Sequence, residues 1–172
     1  MKKQMTDIKF IFHPRSPLTI YKQIHKGHVR LNIDVHGRPY KSGQGGLEVG
    51  DALYSPGMLL DWLTKVVDLN TISYIRLVSC FSAYGGGGSF VCRLSRLLPD
   101  VYVKGYMDEV LSKMSPEAIG FGLAEFGPVI TTKKLLEVFP DGPPALDKYD
   151  EKFCSVTYKN GVLIKKTNRK NK

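Results

Sequence analysis

Long apolar runs and paired cysteines are both missing from this chain of 172 residues. No stretch approaches the roughly 20 apolar residues that span a bilayer, and the basic start MKKQMTDIKF is not followed by the apolar core of a secretory signal. The three cysteines, Cys80, Cys92 and Cys154, have no C-x-x-C spacing and no even number for a disulfide framework. These absences favour a cytosolic, reducing compartment and free thiols.

Metal-ligand and phosphate-loop patterns are also lacking. His13, His25 and His28 stand at no ligand spacing with one another or with a carboxylate pair, so we expect no metal ion. The glycines of YGGGG (Tyr84–Gly88) are not followed by the Lys-Ser/Thr end of a phosphate-binding loop. Aromatic residues form no stacking run, so nucleic acid is not an expected partner.

The overall composition is that of an ordinary globular protein, with 42% hydrophobic and 24% charged residues. The length suits one domain over residues 1–172, large enough to bury a core without disulfides. We expect the basic ends, residues 1–9 and 165–172, to be partly flexible.

The net charge of +9 is concentrated at the two ends of the chain. Residues 1–30 carry seven Lys or Arg and one acidic residue, and residues 159–172 carry six basic and no acidic residues. This pattern has two interpretations, solvated tails or a polyanion site formed where the ends meet. The candidate polyanion-binding residues are Lys2, Lys3, Lys9, Lys159, Lys165, Lys166, Arg169 and Lys170.

The middle of the chain alternates between strand and helix patterns. VRLNIDV has apolar residues at every second position, as in a strand, and SPGMLLDWLTKVV opens with a serine N-cap and proline, as in a helix. The predicted order is strand 28–37, helix 55–67, strand 72–80, helix 88–98 and strand 101–107. Such alternation predicts an α/β fold with a mainly parallel, doubly wound central sheet flanked by helices.

The flanking regions predict further elements. A first strand is expected over residues 7–14, a loop enclosing a short hairpin over 41–51, and helices over 115–127 and 131–139. Near the end, Asn160-Gly161 stands between two β-rich runs, which predicts a C-terminal β-hairpin.

Two of the predicted strands end in residues with catalytic chemistry. The second strand ends in DVHG, with His36, and the third ends in LVSC, with Cys80. In neighbouring parallel strands these side chains emerge at one edge of the sheet. His36 could then activate the Cys80 thiol and protonate a leaving amine. The amides of Gly37 and Cys80 could form an oxyanion hole, with each donor contributing about 3–4 kcal/mol.

Simpler interpretations stand beside this one. A lone cysteine at a strand end usually packs, and a lone His-Gly usually forms a turn. Cys92 lies on the apolar face of a predicted helix and is expected in the core, and Cys154 is expected to pack in the hairpin. Asp34 could orient the imidazole of His36, or could serve as a plain hydrogen-bonding residue.

The segments IDVHGRPY, YIRLVSCFSA, SFVCRLSRLL and VYVKGYM together resemble the caspase-like (clan CD) cysteine peptidases. The resemblance is closest to the autoprocessing cysteine protease domain of large bacterial toxins and related effectors, and covers residues 29–107. It implies a caspase-like fold and a thiol peptidase with Cys80 as nucleophile and His36 as acid/base. It further implies a specificity pocket near Asp108 and Glu109, which could equally be a solvated loop, and activation by inositol hexakisphosphate at a basic surface.

The resemblance has departures. Ser79 stands where the toxin domains tend to have glycine, and YGGGG is an insertion after the nucleophile strand. The first predicted strand begins near the start of the chain, so we expect cleavage of another protein, as by a free-standing effector delivered into a host cell. Two other functions stay open: a module that binds a polyanion, inositol phosphate or nucleic acid, without catalysis, and a Cys-His deamidase or acyl transferase.

Overall fold

The computed structural model describes residues 4–38, 45–110, 112–143 and 154–168. The strands are β1 (Thr6–Ile11), β2 (Leu18–His25), β3 (His28–Asp34), β4 (His36–Arg38), β5 (Gly46–Val49), β6 (Ala52–Tyr54), β7 (Tyr74–Val78), β8 (Tyr102–Tyr106), β9 (Cys154–Lys159) and β10 (Val162–Asn168). The helices are α1 (Pro56–Val66), α2 (Phe90–Leu97) and α3 (Pro116–Val138).

A mixed seven-stranded sheet in the order β1-β2-β3-β7-β8-β9-β10 forms the centre of this α/β fold. Among the described strands only β3–β7 and β7–β8 pair in parallel, and the four outer pairs of this sheet are antiparallel. The expectation of a mainly parallel sheet is therefore wrong. The alternating pattern identified the parallel centre, but β2 was not predicted, and the hairpins at both edges add antiparallel strands.

Helices α1 and α2 lie on the same face of the sheet. The chain moves in one direction across it, from β3 through α1 to β7 and through α2 to β8, and right-handed crossovers in one direction place their helices on one face. The sheet is therefore not doubly wound. The main core lies between these helices and the sheet and includes Leu59 and Leu63 of α1, Phe90 and Leu94 of α2, and Ile75 and Leu77 of β7. Cys92 is fully buried there, as predicted.

Helix α3 covers part of the opposite face. Ile20 belongs to the main core, whereas Tyr21, one position along β2, packs in a second cluster with Ile119 and Leu123 of α3. The helix breaks at Gly127 (φ 79°), just before Pro128, so the two predicted helices are two halves of one kinked element.

Local sequence signals determine where the helices begin. The side chains of Ser55, Ser89 and Ser115 each accept a hydrogen bond from a backbone N–H in the first turn of α1, α2 and α3, respectively. These caps matter for the candidate site because the first turn of α3 lies beside it.

The segment after β3 forms a second, small sheet in the order β4-β5-β6. At the other end of the chain, β9 and β10 pair in antiparallel fashion around Asn160 and Gly161. Both turn residues have positive φ angles, 49° and 76°, as a two-residue hairpin turn between right-twisted strands requires.

Candidate active site

The ends of β3 and β7 place His36 and Cys80 at one edge of the sheet. The two strands are parallel neighbours whose last paired residues are Asp34 and Val78. His36 and Cys80 each follow two positions later, and both line one cavity of about 270 Å³. The expected adjacency of the two strand ends is confirmed.

Gly37 lies against the backbone of the candidate nucleophile. A Cβ atom at this position would stand 2.1 Å from the carbonyl oxygen of Cys80 and 2.3 Å from Oγ of Ser79. Since real Cβ atoms do not approach other atoms so closely, the site accepts only glycine here. The two residues predicted to supply an oxyanion hole are thus close neighbours in space.

The turn after Cys80 is backbone-strained. Phe81 has a φ of 59°, which is rare for a bulky residue and costs about 1–2 kcal/mol. Surrounding hydrogen bonds hold this conformation, since Phe81 N–H donates to the carbonyl of Asp108 (3.1 Å) and Ser82 N–H donates to that of Ser79 (3.3 Å). The chain reverses directly after the thiol and leaves it at the cavity wall.

The thiol of Cys80 is held by the segment that joins β8 to α3. Val110 N–H donates to Sγ across 3.4 Å, and the thiol donates to the Val110 carbonyl across 3.7 Å. Burial raises the pKa of Cys80, and the charges of Glu109 and Asp108 add to this, whereas the Val110 N–H opposes it. In this arrangement the thiol is protonated at neutral pH and its reactivity is suppressed.

The imidazole of His36 is paired with a residue that the sequence analysis did not identify. Its Nε2 lies 2.5 Å from Oε1 of Glu117 in the first turn of α3. The serine-proline start of α3 predicted a helix but gave no reason to connect Glu117 with His36, because 81 positions separate them in the sequence.

Asp34 lines the same cavity but makes its hydrogen bond elsewhere. Its carboxyl accepts from Oγ of Ser112, and its side chain is almost fully buried. Burial raises the pKa of Asp34 to about 7, and the nearby charge of Glu117 acts in the same direction, whereas Ser112 and Arg76 oppose the shift. At neutral pH this carboxyl is about half protonated.

The residues proposed for a specificity pocket lie beside the thiol. Asp108 accepts the N–H of Glu109 at 2.8 Å, and both carboxylates contribute to the raised pKa of Cys80. The cavity wall at this point is formed by Val110. The two carboxylates thus form an acidic rim within electrostatic range of the thiol, although neither belongs to the described lining of the cavity.

The basic residues of the two chain ends do not meet in the described part of the chain. Lys9 is on β1 and Lys159, Lys165 and Lys166 are on β9 and β10, so the sheet separates them. Lys9 pairs with Asp7 and also donates to the carbonyl of Val66. The single patch expected from the sequence is thus not formed by these lysines, and Lys2, Lys3, Arg169 and Lys170 lie outside the described residues.

A basic cavity of about 310 Å³ lies instead on the seven-stranded sheet, where residues of β3, β7, β8, β9 and β10 line it. We call it the cationic cavity, and its basic lining residues are Lys26, Arg30, Arg76, Lys104 and Lys165. Tyr74 and Tyr102 stack in its wall with ring centroids 5.1 Å apart.

The arginines of the cationic cavity are incompletely satisfied. Among the described residues, the buried Nε atoms of Arg30 and Arg76 have no hydrogen-bond partner. Burial and the charge of Arg76 lower the pKa of Arg30 to about 10. Of the predicted polyanion-binding residues that the structure describes, Lys165 alone belongs to this lining; the other basic members could not be predicted because they are spread over residues 26–104.

Other classes of site find little support. The described residues contain no group of three or more His, Cys, Asp or Glu side chains placed to hold a metal ion. In the same part of the chain, no helix has the length and apolarity to cross a membrane. All three cysteines are free thiols.

Comparison of the chain with protein-family models, curated proteins and solved structures finds no match. The chemistry of the site therefore has to be argued from its own geometry.

Proposed function

We propose that the chain is a cysteine endopeptidase with Cys80 as nucleophile and His36 as general acid/base. The observation that carries this proposal is the placement of both side chains two residues beyond the last pair of neighbouring parallel strands, in one cavity. The close approach of Gly37 to Cys80 supports it, since a substrate carbonyl needs amide donors beside the attacking sulfur.

The reaction begins from a resting state in which the backbone of Val110 holds the thiol. Glu117 contacts the imidazole. When Val110 releases the thiol, the thiol proton passes to His36 and the sulfur attacks the scissile carbonyl carbon. His36 then protonates the leaving amine as the C–N bond breaks. Water hydrolyses the thioester and restores the thiol.

The acidic rim of Asp108 and Glu109 supports a preference for a basic side chain next to the cleaved bond. Both carboxylates are close enough to the thiol to raise its pKa, so a lysine or arginine of the substrate would offset their charge there. The substrate would be another protein, met in a reducing compartment where free thiols persist, such as the cytosol of a host cell that receives the chain as an effector.

The cationic cavity supports activation by inositol hexakisphosphate or a similar polyphosphate. Arg30, Arg76 and Lys104 stand on β3, β7 and β8, and Arg76 lies four positions before Cys80, about 13 Å along the strand. A polyphosphate would pair with the buried guanidinium groups and bind the folded state in preference to the unfolded one.

Labelling with a thiol-reactive peptide electrophile that carries a basic residue tests the proposal. We expect a single label on Cys80, faster labelling with inositol hexakisphosphate, and peptide hydrolysis that Cys80→Ala abolishes. Cys92→Ala is the matched control, because Cys92 is fully buried in the core and its loss affects stability rather than turnover per folded molecule. Hydrolysis retained by Cys80→Ala would refute the peptidase.

A second candidate function is a polyanion-binding module in which Cys80 and His36 have no catalytic role. The cationic cavity favours it independently, because five basic side chains and no carboxylate belong to its described lining, whether or not the thiol reacts. The same experiment separates the two, since the module is stabilised by polyphosphate without any change at Cys80. A Cys-His deamidase or acyl transferase would label at Cys80 but leave peptide bonds uncut.

A further inference from the structure

The imidazole of His36 has two nitrogens, and the structure shows a partner for one of them. Glu117 contacts Nε2, at 2.5 Å. A carboxylate in this position keeps a proton on Nε2, so that Nδ1 is the nitrogen with a free lone pair. It also stabilises the positive charge that the ring acquires when it takes a proton from a thiol.

The position of Glu117 suits this role better than that of Asp34. Glu117 stands in the first turn of α3, where the positive end of the helix favours a carboxylate, and its side chain is 63% exposed, so its charge retains contact with water. Asp34 is buried, accepts a hydrogen bond from the hydroxyl of Ser112, and has a raised pKa. A buried carboxyl that already accepts from Ser112 and is partly protonated at neutral pH is a poor partner for an imidazolium.

We propose that Glu117 is a positioning residue that holds the His36 ring, through Nε2, in the tautomer and orientation needed to accept the Cys80 proton at Nδ1. This rests on the proposed function, and it extends the pair predicted from sequence to a Cys80–His36–Glu117 arrangement. It also makes the first turn of α3 part of the site.

The test compares Glu117→Gln, which keeps the shape and removes the charge, with Glu117→Asp. Glu125→Gln is the matched control, because Glu125 is an exposed glutamate further along the same helix. Each variant is assayed for peptide hydrolysis and for alkylation of Cys80 by iodoacetamide between pH 5 and 9, and thermal melting verifies that it is folded.

We expect Glu117→Gln to lower kcat by about 10–100-fold with little change in KM. The shape of its pH profile should also change, because the group that contacts the general acid/base no longer carries a charge. Glu117→Asp should recover part of the rate, and Glu125→Gln should match the wild type. A merely structural role would leave the pH profile in place.

The two proposals fail in different ways. If the wild type cuts peptides and Glu117→Gln equals it in kcat and pH profile, or exceeds it, the positioning role is overturned and the peptidase stands. If no peptide is cut but His36→Ala and Glu117→Gln both slow alkylation of Cys80, the positioning role stands and the peptidase fails. If neither variant changes alkylation and no peptide is cut, both are overturned.

Discussion

The same three strands, β3, β7 and β8, carry two surfaces of opposite character. Beyond their carboxyl ends lie a thiol, an imidazole and the carboxyl groups of Asp34 and Glu117. Towards their amino ends lies the cationic cavity, whose described lining includes no carboxylate. The contrast is one of charge, since the carboxyl ends gather two carboxyl groups around the thiol and the imidazole, whereas the cationic cavity gathers basic side chains.

On each surface, burial destabilises the charged form of one ionisable side chain. At the carboxyl ends, burial raises the pKa of Asp34 to about 7, and in the cationic cavity it lowers the pKa of Arg30 to about 10. A fold selected for stability alone would pair or remove such groups. Groups of this kind are typical of binding sites, because an occupant of the opposite charge would stabilise each of them.

Arg76 links the two surfaces. Its charge lowers the pKa of Asp34, although its side chain lines the cationic cavity. A polyphosphate that neutralised Arg76 would therefore raise the pKa of Asp34 further. This gives a direct electrostatic route from the cationic cavity to the candidate active site, in addition to any movement of the strands.

The largest effect in this comparison is expected at Gly37. In Gly37→Ala the new methyl group would lie 2.1 Å from the backbone oxygen of Cys80. Neither the backbone at residue 37 nor that at residue 80 can move without disturbing the strand ends. We expect a loss of about 2–4 kcal/mol in the free energy of unfolding and a loss of about 100-fold or more in Cys80 labelling or turnover, since one misplaced oxyanion donor costs that much. Urea unfolding and labelling kinetics measure both.

Gly57→Ala is the control for this change. Gly57 is in the first turn of α1, and the nearest atom to a new Cβ is Oγ of Ser55 at 3.9 Å. This variant should be stabilised by about 0.5–1 kcal/mol, because alanine is the better helix former. Polyphosphate binding should survive in both variants if the two surfaces are separate sites. A Gly37→Ala protein with wild-type stability and labelling would contradict the close packing described here.

The next effect concerns the pH dependence of stability through Asp34. The pKa of an aspartate in an unfolded chain is about 3.9, whereas burial raises the pKa of Asp34 in the folded protein to about 7. Between these values the folded protein holds a proton that the unfolded chain has released, so stability falls as the pH rises from about 4 to 7. The contribution is of the order of 2–4 kcal/mol.

Asp34→Asn should remove this dependence and keep the acceptor for Ser112. Urea unfolding at pH 4.5 and pH 8 would show the variant gaining stability over the wild type at the higher pH. Asp61→Asn, an exposed change on α1, supplies the baseline for the loss of one carboxylate. An equal difference between Asp34→Asn and wild type at both pH values would show that Asp34 titrates normally.

The centre of the fold could be predicted because its signals are local. Alternating apolar residues and Ser-Pro helix starts identify β3, α1 and β7, and short runs identify α2 and β8. Strand β2 was not predicted, although its register with β3 buries Ile20 and Tyr21 on opposite faces. The order of the outer strands depends on pairing between distant segments, and a single sequence does not record that pairing.

The candidate site was predictable to the same extent. Cys80 and His36 are strand-end residues, so a strand prediction was enough to bring them to one edge. Val110, Ser112 and Glu117 come from the segment that folds back over that edge, and neither periodicity nor spacing links it to the strands. The cationic cavity was not predicted for a related reason, because β3, β7, β8 and β10 each contribute a single basic residue to it and the turn before β3 contributes Lys26.

The smallest effect separates two neighbouring lysines of β10. Lys165 lines the cationic cavity, and Lys166 on the same strand does not belong to the described lining. Inositol hexakisphosphate should raise the melting temperature of the wild type at low salt. Lys165→Met should weaken that binding by about fivefold, or about 1 kcal/mol, as expected for one charge-assisted contact at a partly exposed site.

Lys166→Met removes the same charge from the same hairpin, so it controls for net charge and for β10 itself. If binding depended only on the overall charge of the basic C-terminal end, both variants would weaken it equally. Both effects would then disappear at high salt, because salt screens exposed charges within about 8–10 Å. If the polyphosphate instead binds at Arg30 and Arg76, we expect Lys165→Met to weaken binding and Lys166→Met to leave it unchanged. Part of the affinity should also survive at high salt, because buried charges are screened less. Isothermal titration at two salt concentrations distinguishes the outcomes, and equal losses in the two variants would return the polyanion site to the chain ends.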